Sequence, residues 1–389
     1  MSDEELALLG HMISDGCALP RHVIQYTTRE IDLAETVRDL AIAVFGERVT
    51  PRISQERGWY QVYLTASERL THGKRNPIAA WLDDLGVFGL RSYEKRVPEK
   101  VFEQPAAGIA RFLRHLWATD GCINYAQGVA HYPSIYYASS SYALAQGVQS
   151  LLLRLGINAT LSRHAQPRGG RDQFHVFVSG ADEMRHFLLT VGAAGAHRSQ
   201  HRDLVLNHLS ERKAKTARDV IPREVWSLLQ SPSATSELVA AATSSDSSAW
   251  PGTIRAIVGQ NLSRTRALRV ATQIGSADLA RLADSDTYWD EILSIEPDGE
   301  EDVYDLTVEG HHNFVAANIT LHNSIEQDAD IVMFIYRDDV YNPESERKNI
   351  ADIIIAKHRN GPVGLVSLYF QGAQTRYRDL ELRQVEPEY

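Results

Sequence analysis

The feature that most constrains what this chain can fold into is an internal duplication. Leu8-Leu-Gly-His-Met-Ile-Ser-Asp-Gly-Cys17 matches Leu113-Arg-His-Leu-Trp-Ala-Thr-Asp-Gly-Cys122, so Asp15 and Asp120 are equivalent residues. The agreement continues downstream: Tyr26 to Leu40 parallels Tyr137 to Leu151, and Tyr60 to Glu68 parallels Phe174 to Asp182. Each copy reads helix, strand, strand, helix, strand, strand, helix. An apolar helical stretch halts at Asp-Gly, and alternating segments with strand character follow. Two copies of one α/β unit imply a pseudo-twofold arrangement in which like surfaces meet.

The repeated motif has a chemical logic. Small residues on the first helix of each copy (Gly10 and Ser14; Ala118 and Thr119) allow two helix backbones to approach closely. The aspartates that end them then emerge side by side. Two carboxylates converging on one point repel each other unless a cation neutralises them, and Mg²⁺ bound by carboxylate and phosphate oxygens does so. Such a site activates water and stabilises a leaving oxygen in phosphodiester hydrolysis.

These residues resemble the paired dodecapeptide motifs of the LAGLIDADG homing endonucleases, over about residues 4 to 190. The resemblance implies an α+β fold, a duplicated αββαββα unit whose two four-stranded sheets form a saddle over double-stranded DNA. It places the metal-binding acids on Asp15 and Asp120, with Mg²⁺ as cofactor. A Lys-x-Ile/Val-Pro element between the repeats falls on Lys95-Arg-Val-Pro98, which makes Lys95 the basic residue that polarises the attacking water. No lysine occurs between Lys100 and Lys213, so the second copy lacks an evident counterpart; Arg163 and His175 are candidates to replace it. Cys17 and Cys122 read as small core fillers near the pseudodyad.

A second motif lies far downstream. Val303-Tyr-Asp-Leu-Thr-Val-Glu-Gly-His-His-Asn-Phe-Val-Ala leads to Ile319-Thr-Leu-His-Asn-Ser324. An asparagine side chain can reach its own backbone carbonyl and cleave the following bond as a succinimide, given a neighbouring proton donor such as His322. Ser324 offers a hydroxyl able to hold an acyl group. The block resembles the C-terminal splicing region of inteins, which implies the C-terminal part of a β-rich HINT domain, with strands from Trp289 onward. The resemblance gives Asp305 and His312 supporting roles in acyl transfer and asparagine cyclisation, beside His322, Asn323 and Ser324; His311 has no assigned role. An upstream Cys or Ser nucleophile and its Thr-x-x-His block do not precede residue 4. The expectation is that the chain does not splice alone, and that a separately encoded N-terminal half would be its partner.

After Asn323, Ser324-Ile-Glu-Gln-Asp-Ala-Asp-Ile-Val-Met-Phe-Ile-Tyr and Asn349-Ile-Ala-Asp-Ile-Ile-Ile-Ala-Lys-His-Arg-Asn-Gly-Pro-Val-Gly resemble the C-terminal end of hexameric bacterial replicative DNA helicases of the DnaB family. Apolar runs at Ile331, Ile353 and Leu365 suit a buried sheet in a RecA-like fragment. The resemblance implies that Gln327, Lys357 and Arg359 serve the ATP site of a neighbouring subunit in a homohexamer. No Gly-x4-Gly-Lys-Ser/Thr phosphate cradle occurs, so ATP belongs to the parent helicase and not to this segment by itself.

The division expected is 1–190 endonuclease (copies 4–100 and 101–190), 191–285 helical insert and linker, 286–323 splicing half-domain, and 324–389 helicase segment. Within the insert, Ser231-Pro-Ser-Ala-Thr-Ser236 and Thr243-Ser-Ser-Asp-Ser-Ser248 read as linkers, and Thr253 to Gly275 carries helical periodicity with a basic face, a candidate DNA contact. A chain of 389 residues with 43% hydrophobic positions and net charge −10 supports several globular domains. Its longest apolar runs are too short to span a membrane, and two cysteines fit a reducing cytoplasm. The function expected is site-specific DNA cleavage at the intein insertion site. The alternatives are a DNA-binding segment with decayed catalysis and a trans-splicing half.

Overall fold

The computed structural model describes residues 1–70, 74–125, 132–166, 169–210, 219–228, 259–302, 306, 308, 313–322, 330–342, 344–374 and 376–380. The chain divides into two compact units, Met1–Ser294 and Ile295–Tyr389.

In the first unit the duplication appears element by element. Copy one runs α1 (Asp3–Ser14), β1 (Gly16–Cys17), β2 (Gln25–Thr28), α2 (Ile31–Phe45), β3 (Val49–Glu56), β4 (Trp59–Ala66) and α3 (Pro77–Asp84). After a short α4 (Glu99–Phe102), copy two repeats the order with α5 (Ala106–Leu116), β5 (Gly121–Tyr125), β6 (Pro133–Ser139), α6 (Tyr142–Arg154), β7 (Ala159–His164), β8 (Gln173–Val178) and α7 (Ala181–Thr190). The two antiparallel sheets have the same topology, β1-β2-β4-β3 and β5-β6-β8-β7. The mixed α/β architecture expected from the repeat is therefore present.

Local chemistry sets these elements. Ser2 and Glu5 form a reciprocal capping box that starts α1, each side chain accepting from the other's backbone N–H. The β3–β4 hairpin turns on Arg57 (φ 47°) and Gly58 (φ 84°), a two-residue loop whose left-handed conformations match the twist of the strands. In β6 the side chains alternate: Ile135, Tyr137 and Ser139 point inward, Tyr136 and Ala138 outward. The inward set joins one continuous core with Leu8, Leu9, Phe112, Trp117 and Phe187. Each such apolar side chain contributes roughly 2 kcal/mol by leaving water.

The core extends beyond residue 190. A helix within the stretch expected as a helical insert and linker, α8 (Ala196–Ser210), places Val205 and Leu209 in it. Only those two positions, one turn apart, are buried, too thin a stripe for periodicity to reveal. A separate small core then unites β9 (Val220–Ile221), α9 (Val225–Leu228), β10 (Leu262–Ser263), α10 (Arg264–Ile274) and α11 (Ala277–Asp284). Arg264 ties it together, pairing with Asp219 and donating to the Leu282 and Ala283 carbonyls at the end of α11. Of the strands expected from Trp289 to Asn323, those at 313–316 and 319–322 form, whereas residues 286–302 hold no regular element, and Ile292 and Leu293 are 77% and 88% exposed. A strand needs a neighbour to satisfy its backbone, and none is offered to this stretch by the described residues.

In the second unit β11 (Asn313–Ala316) and β12 (Ile319–His322) form a hairpin through Ala317 and Asn318, both with positive φ. A four-stranded antiparallel meander follows: β13 (Ile331–Tyr336), β14 (Ile350–His358), β15 (Gly364–Gln371) and β16 (Arg376–Asp379), with α12 (Asp338–Tyr341) before β14. The three apolar runs read from sequence are strands, but the sheet is not buried. Phe334, Ile335 and Leu365 are each more than half exposed, because no layer of described residues covers them.

Candidate active site at the paired helix ends

α1 and α5 pack directly on each other, and Gly10 makes the close approach possible. A Cβ there would lie 2.7 Å from the Phe112 carbonyl oxygen and 2.8 Å from the Leu116 nitrogen, so any side chain would push the helices apart. On the facing helix the small residue in the contact is Gly108, against Leu6. The expected pair Ala118 and Thr119 lies beyond the end of α5 at Leu116. The Asp-Gly repeat also has a steric cause. A Cβ on Gly16 would strike Met12, and one on Gly121 would strike Trp117, the equivalent residue of the other copy.

The helix ends deliver Asp15 and Asp120 into mutual electrostatic reach. Burial raises the pKa of Asp15 although its side chain reaches solvent, and the Lys95 charge opposes the rise. Asp120, half-buried, is pushed up to about 7 by burial and by the Asp15 charge, with Lys95 and Arg198 pulling the other way. No described residue donates a hydrogen bond to either carboxylate. Two like-charged oxygen donor groups that resist ionising together fit a hard divalent cation. Among the described residues no cluster of three or more His, Cys, Asp or Glu side chains could hold a metal ion, so a cation at this point would have two carboxylates from the chain.

Lys95 is brought to this point, as the sequence suggested. Its Nζ donates to the carbonyls of Ser14 (2.7 Å) and Gly16 (2.9 Å), on either side of Asp15. Its own pKa is lowered by burial, while Asp120 and Asp15 pull it back up. The lysine loop is anchored from copy two, where the Ser141 hydroxyl donates to the Lys95 carbonyl at 2.6 Å.

Neither proposed replacement in copy two reaches Asp120. Arg163 is held by Asp172, and His175 stacks on Tyr136 with rings 5.2 Å apart. Besides Lys95, the cation that acts on Asp120 is Arg198 of α8, whose Nη2 donates to the Thr119 carbonyl at 3.1 Å. Sequence reading passed over it because the duplication was traced only to about residue 190. Extended one helix further, the spacing from the aspartate would have found it. Cys17 and Cys122 are half-exposed on β1 and β5 and do not fill the core.

Behind the carboxylates the copies differ. Tyr26 is fully buried and its hydroxyl meets His11 Nδ1 at 3.1 Å; His11 Nε2 then meets His115 Nδ1 at 3.0 Å. Burial holds both imidazoles neutral, His115 down to about 4 with help from Arg111 and Arg114. The equivalent Tyr137 hydroxyl and the Thr119 hydroxyl are buried with no hydrogen-bond partner among the described residues.

The remaining sequence-predicted residues divide in two. Asp305, His312, Asn323, Ser324 and Gln327 lie outside the described residues, and His322 is placed only as the last residue of β12, opposite Asn313. Lys357 and Arg359 lie together at the end of β14, where Arg359 pairs with Asp330 at 2.8 Å. No described helix is long and apolar enough to cross a membrane.

Two stretches of the chain match known protein families. A LAGLIDADG-like domain model matches residues 107–192, and a DnaB-like helicase C-terminal domain model matches residues 279–379. Replicative DNA helicase DnaB of a Synechocystis species is 51% identical over 386 residues, covering 98% of this chain and 44% of the relative. That of Rhodothermus marinus is 51% identical over 398 residues, covering 100% and 42%. The chain thus spans less than half the length of the curated relatives it matches. Among solved structures, the homing endonuclease I-DmoI in complex with DNA and Ca aligns at 13% identity and a TM-score of 0.38, covering 53% of this chain and 97% of that one. The chain therefore carries a LAGLIDADG-like domain and a DnaB-like helicase C-terminal domain, and its homologues are replicative DnaB helicases.

Proposed function

We propose that this chain is a site-specific DNA endonuclease carried by an intein in a replicative helicase. The observation that supports the reading best is the convergence of Asp15 and Asp120, with raised pKa values and no hydrogen-bond donor on either carboxylate. In this reading the two aspartates hold Mg²⁺, which when bound supplies charge stabilisation for phosphodiester hydrolysis. Asp15 and Asp120 are the residues that would hold the cation. Lys95, fixed by the Ser14 and Gly16 carbonyls, orients the attacking water in its half and offsets the charge that builds on the phosphate. The substrate is double-stranded DNA at the uninterrupted insertion site of the helicase gene.

The splicing and helicase assignments belong to the same proposal. Asn323 cyclises with His322, His312 and Asp305 assisting and Ser324 as acyl acceptor, in concert with a separate N-terminal half. Gln327, Lys357 and Arg359 serve ATP in the parent homohexamer, in the cytoplasm.

The full chain, incubated with a plasmid carrying the uninterrupted helicase-gene sequence and MgCl₂, is expected to linearise it, and Asp15→Asn and Asp120→Asn are each expected to abolish cutting. Cutting that persists in both variants, or that ignores EDTA, defeats the assignment.

A further inference from the structure

We infer that α10 carries a DNA-contacting surface outside the duplicated unit, on which Arg266 and Arg269 take backbone phosphates of the target duplex. The identity of the duplex rests on the endonuclease reading. The surface itself belongs to neither family match, since one ends at residue 192 and the other begins at residue 279.

The sequence sets this segment apart. From Ser247 to Ala277 the chain has no aspartate or glutamate, although 50 of its 389 residues are acidic and its net charge is −10. At that frequency the stretch is long enough to hold about four acids. It holds four arginines instead: Arg255, Arg264, Arg266 and Arg269.

The fold gives the module's cations different roles. Arg264 is used internally, paired with Asp219 and donating to carbonyls at the end of α11. Arg223 pairs with Glu224 and Arg281 with Asp278. Arg266 and Arg269 have no carboxylate partner among the described residues. α10 buries Ala267, Val270 and Ala271 in the small core and turns Thr265, Arg266, Arg269 and Gln273 to solvent. At 3.6 residues per turn those four lie within about a third of the helix circumference. A face kept only for solubility mixes both signs of charge, whereas this one is wholly cationic.

A polyanion is the occupant such a face selects. Two guanidiniums three residues apart are offset by about 4.5 Å along the helix, and each can hold a phosphate through two parallel N–H bonds. Gln273, one turn past Arg269, adds an amide suited to sugar or base edges. The surface is also preset. Trp226 Nε1 donates to the Gln260 carbonyl at 3.0 Å and the Arg223 N–H donates to Asn261 Oδ1 at 2.9 Å, which fixes the chain entering α10. Binding there loses little to ordering.

The full chain is compared with its R266A/R269A variant on a long duplex carrying the uninterrupted site, in EDTA so that no cutting intervenes. Both side chains are exposed, so the variant keeps the fold. Each phosphate contact contributes about 0.9 to the slope of log affinity against log salt, so the variant's slope is expected to be shallower by about 1.8. Raising salt from about 50 to about 200 mM then costs the unaltered chain roughly tenfold more affinity than it costs the variant. R266K/R269K keeps the charges and is expected to keep the slope. In footprinting, protection is expected to shrink on one side of the site, and on a duplex trimmed to what remains the two proteins are expected to bind alike. An unchanged slope, an equal loss on the trimmed duplex, or a loss confined to single-stranded RNA overturns the assignment. If the unaltered chain binds the duplex but never cuts it with Mg²⁺, the endonuclease reading fails while the slope still judges α10. If it binds no duplex, the α10 assignment falls.

Discussion

The two copies of the duplicated unit share a backbone and differ in wiring. In copy one the tyrosine behind the aspartate is satisfied by His11, the residue before the aspartate donates back into its own helix, and the sheet face carries Thr27 hydrogen-bonded to Gln61. In copy two the equivalent tyrosine and threonine hydroxyls have no partner among the described residues, and the sheet face is a stack of Tyr136, His175 and His164. Backbone hydrogen bonds and apolar alternation set the shared part, which tolerates almost any sequence of the right pattern. The differences lie where side chains meet solvent and ligand. A symmetric scaffold with unlike faces suits a DNA target whose two halves are unlike.

The strongest way to break this comparison acts on both copies at once. Gly10→Leu is expected to abolish cutting of both strands together, by 1000-fold or more, because a 1 Å displacement of reacting groups already costs about 100-fold and a leucine moves the helices further. Strand-resolved cleavage checks it, and survival of either strand would show that the carboxylates are placed independently. Lys95→Ala is the next largest effect. It should slow the strand served by the Asp15 half by about 100-fold and the other strand by a smaller factor, since the Lys95 charge also acts on Asp120.

Smaller effects sharpen the contrast between the sheet faces. His175→Ala removes the ring stacked on Tyr136 and is expected to weaken binding about fivefold, with the loss confined in footprinting to one half of the target. Losses spread over both halves would mean that the faces do not divide the site. Smallest is a stability effect. Asp120 has its pKa raised in the folded chain to about 7, so the folded state holds an extra proton between about pH 4 and pH 7. This contribution to stability is full below that window and is lost as pH rises through it. The metal-free protein should melt a few degrees lower at pH 8 than at pH 5.5, at about 2–4 °C per kcal/mol for a unit of this size. Asp120→Asn and added Mg²⁺ should each narrow the gap in a thermal scan.

Much of the first unit was legible because it repeats. A motif seen once is an Asp-Gly helix stop; seen twice, with matching strands after it, it specifies two helices ending together and two sheets of one topology. The position of Lys95 beside the Ser14 and Gly16 carbonyls is where its Lys-x-Val-Pro context led one to look. The packing of α8 against the first core was not legible, because only Val205 and Leu209 of it are buried. The strands of the second unit were legible as apolar runs, whereas their exposure was not. Hydrophobic patterning records which residues seek burial, and it is silent on whether the covering layer belongs to the same segment of chain. Ile292 and Leu293 teach the same lesson, since strand propensity without a pairing partner leaves them in water.

The hydrogen bond from the start of α8 to Asp32 joins residues 164 positions apart. Contacts so distant in sequence form late, because the intervening chain must be ordered before they close. During synthesis both carboxylates and Lys95 leave the ribosome well before α8, so the paired helix ends are complete in sequence before the helix that is tied across to copy one. The order of translation thus becomes an order of assembly, with the paired helix ends formed ahead of the helix that ties back to copy one.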